Sequence, residues 1–239
     1  MFTLSESAIE RIRSFRTERL SRIVSGQTPV QIENYPKVIL HIVPLSISNH
    51  AKKSHLSENN LEVSQLLSVN TSATYRHYNF DGYIAYSKME GSLDAPSYVQ
   101  LFRNGSIEVV WTYPFILYKK EKKIPSLFFE QVLLQKVRFY LNLQKYSLAV
   151  EPPIFIMLSL IGVYGYTMTV KRSRFEFGED YLGNPIDRDV LIIPEIMIEK
   201  FEINVDKPMG DIFDVVWNAA GWPASMNYDE SGHWNGEKI

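Results

Sequence analysis

The chain has 239 residues, of which 45% are hydrophobic and 22% are charged, as is typical of a folded globular protein. Its formal net charge of −2 excludes a surface that is basic throughout, which non-specific binding to nucleic acids requires. The sequence contains no cysteine, which excludes disulfides and thiolate chemistry and suits the reducing cytoplasm.

The first predicted element is a helix over about residues 5–24, which a serine can cap and Gly26 can end. Residues at helical spacing form an apolar stripe on this helix, and Arg16 and Arg19 fall on the same stripe. A buried guanidinium without a partner is costly, so each of these arginines needs an anion.

Two sources of that anion are possible. The first is a carboxylate of this chain, with Asp187 and Asp189 as the first candidates. The second is an external phosphate or nucleotide, which Arg16 and Arg19 would bind together with His41 as a further donor. Arg16, Arg19 and His41 are therefore the candidate anion- or ligand-binding residues.

The next elements are strands. An apolar run from Pro36 to Ser46 predicts a central strand that carries His41. The polar stretch that follows, 47–74, predicts a loop with at most one short helix near Leu61 to Leu67. Another strand is predicted from Gly82 to Lys88.

The stretch SYVQLFRNGSIEVVWTY predicts a hairpin with its turn at Asn104-Gly105. A two-residue turn places Tyr98 opposite Trp111 and Val109 opposite Gln100. One face is then aromatic and apolar, and we expect its aromatic residues and Val109 to be buried. The members of this face are Tyr98, Phe102, Ile107, Val109 and Trp111.

The second half of the chain predicts a helix from Ser126 to about Tyr146 and a buried strand from Ile154 to Ile161. Further strands are predicted at Tyr164 to Val170 and at Val190 to Ile193, followed by a closing helix, Asp211 to Ala220, and an irregular tail over about 224–239. We therefore predict a single α+β domain over residues 1–239, with a largely antiparallel sheet and packed helices.

The distribution of apolar residues along the chain also indicates where in the cell the protein is located. The first residues lack the apolar core of a secretory signal. The most apolar stretch, Pro152 to Val170, contains Gly162 and Gly165 and falls short of the roughly 20 apolar residues of a membrane span. We expect a cytoplasmic protein without membrane contact.

Two sequence motifs have alternative interpretations. Asp187 and Asp189, in PIDRD, would point to the same side of an extended chain, as in a two-metal hydrolase, or would cap the strand that follows. The C-terminal aromatic residues can stack on bases or can clamp the tail to the domain; they are Trp217, Trp222, Tyr228 and Trp234. Because no phosphate loop or nucleophile motif accompanies them, we expect no cofactor and no metal.

Several stretches of the sequence, taken in order, resemble one family. They are FRTERLSRI, LHIVPLS, YNFDGYIAYS, SYVQLFRNGSIEVV, EPPIFIMLSLIGVYGY, PIDRDVLIIPE and VWNAAGWP with NYDE. Together they are similar, from about Phe2 to Trp234, to the region that follows a Schlafen-like, AlbA-type DNA-binding domain in bacterial proteins. The resemblance implies an association with nucleic acids through that attached domain, which has no counterpart in this sequence, and it assigns no activity to the region itself.

Three functions are compatible with these features. The favoured one is a non-catalytic accessory domain, for sensing or for protein–protein interaction, of a bacterial nucleic-acid-associated protein. Its partner would be another protein or a second copy of the chain. The alternatives are a metal-dependent nuclease or phosphohydrolase that uses Asp187 and Asp189, and a direct nucleic-acid-binding module that uses the N-terminal arginines and the C-terminal aromatic residues.

Overall fold

The computed structural model describes residues 6–48, 74–88, 91–116, 120–170 and 181–236. Its helices are α1 (Glu6–Val24), α2 (Tyr113–Ile116), α3 (Ser126–Asn142), which continues as a π-helical turn (Leu143–Ser147), and α4 (Asp206–Ala219). Its strands are β1 (Lys37–Pro44), β2 (Thr74–Tyr78), β3 (Gly82–Ser87), β4 (Ser97–Phe102), β5 (Ile107–Trp111), β6 (Lys123–Pro125), β7 (Ile154–Ile161), β8 (Thr167–Val170), β9 (Tyr181–Leu182), β10 (Val190–Ile192) and β11 (Ile196–Ile198). None of these described helices is both long and apolar enough to cross a membrane.

Eight of these strands form one large sheet, and its described pairs are all antiparallel. The order across the sheet is β10-β7-β1-β5-β4-β3-β2, and β11 also pairs with β7. A smaller sheet has the order β6-β8-β9. This mostly antiparallel sheet with helices packed against it confirms the predicted α+β fold.

Helices cover both faces of the large sheet. Strand β1 shows this clearly, because Leu40 belongs to the main hydrophobic core with α3 and α4, whereas Ile39 and Val43 pack against α1. Successive residues of a strand point to opposite faces. A charged side chain in the middle strands is therefore placed in one of two apolar layers, whichever face it occupies.

The helix ends follow local sequence signals. Gly26 and Gly221 adopt φ values of +76° and +80° just beyond α1 and α4, the left-handed conformation that commonly ends a helix. The predicted closing helix is longer than expected, because α4 begins at Asp206 and not at Asp211. Pro208 lies in its first turn, where the missing N–H has no helical acceptor to lose.

The β4–β5 hairpin has a different loop from the predicted one. The loop comprises Arg103, Asn104 and Gly105, and the Phe102 N–H donates to the Ser106 carbonyl at 2.9 Å. Gly105 has a φ of +82°, as is usual for the last residue of a three-residue hairpin loop. The predicted two-residue turn is therefore wrong.

The longer loop shifts the pairing by one residue, so that Tyr98 lies opposite Val110 and not opposite Trp111. Tyr98 and Glu108 then share the face that α1 covers, whereas Trp111 faces the main core. The expected burial is nevertheless confirmed. The exposed fractions lie between 0% and 8% for Tyr98, Phe102, Val109 and Trp111.

Other differences concern the edges of the fold. Strand β2 occupies Thr74–Tyr78, where no strand is predicted. The predicted short helix at Leu61 to Leu67 lies outside the described residues. The tail over 222–236 contains no helix or named strand, only an isolated bridge between Tyr228 and Trp234, in agreement with the prediction of an irregular tail.

Candidate functional site

Glu108 lies at the centre of a buried polar cluster between α1 and the sheet. Its side chain is fully buried, and its carboxylate accepts two hydrogen bonds of 2.8 Å from the Arg19 guanidinium. Nε2 of His41 on β1 lies 3.0 Å from Oε2, and the Tyr98 hydroxyl on β4 donates to Oε1 at 2.7 Å. One helix and three neighbouring strands thus meet at a single carboxylate.

The charges of this cluster stabilise one another. Burial alone would raise the pKa of Glu108, but the hydrogen bonds from Arg19 and His41 and the charge of Arg19 outweigh it and lower the pKa to about 2. Burial likewise acts against the charge of Arg19, yet the adjacent Glu108 raises the pKa of the guanidinium. The pKa of the Tyr98 hydroxyl is raised by burial and by the carboxylate. Arg19 and Glu108 therefore form a charged, bidentate pair, with Tyr98 as a neutral donor.

Arg16 has a separate set of partners. Its guanidinium donates to the Ile193 carbonyl at 2.8 Å and to Oε2 of Glu195 at 3.1 Å. Glu195 also accepts a 2.6 Å hydrogen bond from Arg13, which is exposed. Helix α1 is thus attached to the rest of the fold by two carboxylates, one from β5 and one from the segment between β10 and β11.

The predicted anion-binding residues are therefore brought together only in part. Arg19 and His41 share the Glu108 carboxylate, whereas Arg16 contacts Glu195. All three predicted residues are buried. Because carboxylates of the chain neutralise both arginines, the geometry favours the internal source of the anion, and binding of an external anion stays a prediction.

Asp187 and Asp189 are not the partners of these arginines, contrary to expectation. Asp187 is exposed and accepts a 2.8 Å hydrogen bond from its neighbour Arg188, which lowers the pKa of the carboxyl group. Across the described ranges, no group of three or more His, Cys, Asp or Glu side chains is placed to hold a metal ion.

A second buried carboxylate, Glu130 of α3, holds the C-terminal tail. Its Oε1 accepts from Nε1 of Trp217 at 2.6 Å and from the Ser225 hydroxyl at 2.7 Å. Its Oε2 accepts from the Asn227 amide at 3.0 Å and from Nε1 of Trp234 at 2.9 Å. Trp217 of α4 and Trp234 of the tail thus bind the same carboxylate, in agreement with the interpretation that aromatic residues clamp the tail to the domain.

The surface feature that best suits a partner is the edge of the large sheet at β2. Among the described residues, β2 pairs only with β3. The side chains from Tyr75 to Tyr78 are all exposed. Tyr75 stacks on Tyr86 with ring centroids 5.4 Å apart, so that an aromatic surface extends from β3 to the edge.

The pairing identifies which main-chain groups face outward from β2. Asn79 and Gly82 exchange hydrogen bonds of 2.9 and 3.3 Å at the hairpin end. Bonded pairs alternate along an antiparallel ladder, so His77 and Tyr75 also bond to β3. The N–H and C=O groups of Arg76, which lies between them, therefore point away from β3, towards the side of β2 on which no described strand lies.

An exposed aromatic residue marks the adjacent hairpin turn. Phe80 has 94% of its surface exposed and lines a groove of about 400 Å³ with Asp81, Phe102, Arg103 and Asn104. The Arg103 guanidinium donates to the Phe80 carbonyl at 3.2 Å. This hydrogen bond connects the β2–β3 turn to the β4–β5 turn and supports the groove.

Glu108 and Glu130, the central groups of the two clusters, are not among the predicted site residues. Glu108 interrupts the apolar stretch IEVVW, and Glu130 lies at helical spacing from Leu133, Leu134 and Val137. A charge within an apolar pattern is the same signal that identified Arg16 and Arg19. A search for carboxylates within apolar patterns would therefore identify both Glu108 and Glu130.

Comparisons with known proteins give no match: no protein-family model, no curated protein and no solved structure matches this chain.

Proposed function

We propose that this chain is a non-catalytic accessory domain that binds an extended, acidic segment of a partner protein along β2. The observation that carries the proposal is the edge of the sheet at Arg76, which has no partner strand among the described residues and whose main-chain N–H and C=O groups point away from β3. A segment that adds as a further strand forms main-chain hydrogen bonds there and places alternate side chains beside Tyr75 and His77.

The charge of this edge indicates an acidic partner. Residues 74–88 contain three basic side chains, Arg76, His77 and Lys88, and one carboxylate, Asp81, which is half-buried. Opposite charges on facing strands contribute roughly 0.2–1 kcal/mol for each pair, and like charges that face each other repel. Glutamate and aspartate at alternate positions of the partner segment, on the face of the Arg76 side chain, therefore fit this edge.

The same charge disfavours a second copy of the chain as the occupant. Two β2 strands that pair antiparallel over their full length, Thr74–Tyr78, place the Arg76 side chains of the two copies directly opposite each other. Like charges at this position destabilise a strand pair. We therefore assign the edge to a partner of different sequence.

The wider setting of the proposal rests on the sequence. The resemblance described above supports a bacterial nucleic-acid-associated protein in which an attached domain binds the nucleic acid, and the lack of cysteine supports a cytoplasmic location. Within the described residues, Arg16 and Arg19 are neutralised by Glu195 and Glu108, which supports a structural role for the N-terminal arginines.

Arg76→Pro is expected to abolish the binding of an acidic strand peptide while the fold is retained. Proline removes the N–H that faces outward, and an edge strand tolerates proline at such a position. The probe is a synthetic peptide of alternating Glu and Val, and its binding to the full chain is measured by fluorescence anisotropy. Amide hydrogen exchange should show that the peptide protects the Arg76 N–H of the wild-type protein.

Arg76→Thr is the matched control, because it keeps the N–H and removes only the charge; it should weaken binding without abolishing it. A peptide of alternating Lys and Val should bind more weakly than the acidic peptide. Equal binding of the two peptides contradicts the proposal, as does an Arg76 amide that is already protected in the free protein. A single-stranded oligonucleotide that displaces the peptide in a salt-dependent manner would assign the edge to nucleic acid instead.

A further inference from the structure

A cleft opens where α1 ends, between the loop 26–36, the start of β1 and the end of β7. Two adjoining cavities of about 350 and 500 Å³ share wall residues Ile23, Val24, Asn34 and Lys37. Gly162 closes one side of the cleft. Cavities of this size are typical of small-molecule binding sites.

Lys37 supplies the positive charge of this cleft. Its Nζ donates to the Tyr35 carbonyl at 2.8 Å, which leaves two of its three N–H bonds for other acceptors. No carboxylate oxygen of the described residues lies within 4.0 Å of Nζ of this half-buried lysine. Burial lowers the pKa of Lys37. This cation therefore differs from Arg16 and Arg19, each of which has a carboxylate.

The rest of the cleft defines the class of ligand. Ile23, Val24 and Ile161 form an apolar wall, and the amides of Gln31 and Asn34 lie at the exposed rim. One lysine balances one negative charge, whereas a doubly charged phosphate in a half-buried site needs further cations. A carboxylate group with a short apolar chain matches both the charge and the wall.

We infer that this cleft binds a small monocarboxylate, with the carboxylate group on Lys37 and the alkyl chain against Ile23 and Ile161. The site is distinct from the β2 edge, because β5, β4 and β3 lie between β1 and β2 in the sheet. It does not depend on the proposed protein partner. A ligand here contacts α1, β1 and β7 at once, which gives an accessory domain a means of sensing a metabolite.

Sodium butyrate is the probe, and butyramide, which has nearly the same shape without the charge, is the matched ligand. Titration of the full chain, followed by NMR of the backbone amides, is expected to give saturable shifts at Ile23, Val24 and Lys37. The affinity for butyramide should be lower than that for butyrate by about tenfold or more. Lys37→Met, which keeps most of the length of the side chain, should lower the affinity for butyrate by about tenfold or more. Lys37→Arg should retain most of the affinity.

Lys136→Met is the matched control variant, because Lys136 on α3 is a second half-buried lysine and does not line the cleft; this variant should bind butyrate like the wild type. Equal affinity of the wild type for butyrate and butyramide overturns the inference, as does unchanged butyrate binding in Lys37→Met or the lack of saturable shifts. If Lys37→Met does not fold, the two ligands compared on the wild type decide the question. Inorganic phosphate that binds more tightly than butyrate contradicts the assignment to a monocarboxylate.

Discussion

Glu108→Gln is expected to lower the free energy of unfolding by about 3–5 kcal/mol, the cost of removing one charge of a buried ion pair. Arg19 stays buried, with 5% of its surface exposed, and loses the carboxylate that neutralises it. Because glutamine has nearly the same size as glutamate, the loss reports the missing charge and not a cavity. Urea unfolding followed by circular dichroism measures the change.

Acid should remove the same stabilisation from the wild-type protein. The pKa of Glu108 is about 2 in the folded chain, against 4.5 for an unperturbed glutamate. Because the folded pKa is the lower one, the carboxylate contributes stability that is fully present above pH 4.5 and is lost as the pH falls towards 2. This contribution is about 3 kcal/mol, since a difference of one in pKa corresponds to about 1.4 kcal/mol. Glu108→Gln should therefore lose less stability over this pH range than the wild type.

Two further variants distinguish the loss of the buried ion pair from a general effect of substitution on stability. Glu18→Gln removes an exposed carboxylate that pairs with Arg22 on the outer side of α1, and it should change stability little. Arg19→Met combined with Glu108→Gln removes the uncompensated charge, so the double variant should be more stable than Glu108→Gln alone. A double variant that loses the sum of the two single effects would contradict this account.

The elements with one clear periodicity could be predicted from the sequence. Helices α1 and α3 and strands β1 and β7 lie close to their predicted positions, because each has an apolar stripe or run with a cap, a glycine or a proline at its end. Strand β2 could not be predicted, since its exposed side chains show no alternation of apolar and polar residues and its conformation depends on β3. The predicted register of the β4–β5 hairpin is wrong because Asn-Gly fits both two-residue and three-residue loops.

The candidate site could be predicted only in part. The helical pattern indicates that Arg16 and Arg19 are buried, and the structure confirms it. Their partners could not be found, because Glu108 lies 89 residues after Arg19 and Glu195 lies 179 residues after Arg16. Periodicity shows which face of an element is buried but not which strand lies beneath it. The position of β2 at the edge of the sheet likewise depends on the order of the strands, which periodicity does not reveal.

Glu130→Met is expected to release the C-terminal tail and to lower the free energy of unfolding by about 3–5 kcal/mol, because a buried hydrogen-bond network loses its acceptor. Methionine fills a similar volume but accepts no strong hydrogen bond, so the donors of the clamp lose their acceptor; they are Trp217, Ser225, Asn227 and Trp234. A buried donor without an acceptor costs about 1–3 kcal/mol, and water that reaches a detached tail recovers part of this cost. Amide hydrogen exchange over 225–236, together with urea unfolding, measures both effects.

The pH dependence of this clamp should run opposite to that of Glu108. Burial raises the pKa of Glu130 above its usual value of 4.5, against the opposing effect of its hydrogen bonds. Because the folded pKa is the higher one, the contribution to stability is fully present below pH 4.5 and declines as the pH rises through the folded pKa. Glu130→Gln cannot ionise, so its tail should show a smaller change in exchange protection between pH 4.5 and neutral pH than the wild-type tail. Equal protection of the tail in the wild type and in Glu130→Met, at both pH values, would show that this carboxylate does not hold it.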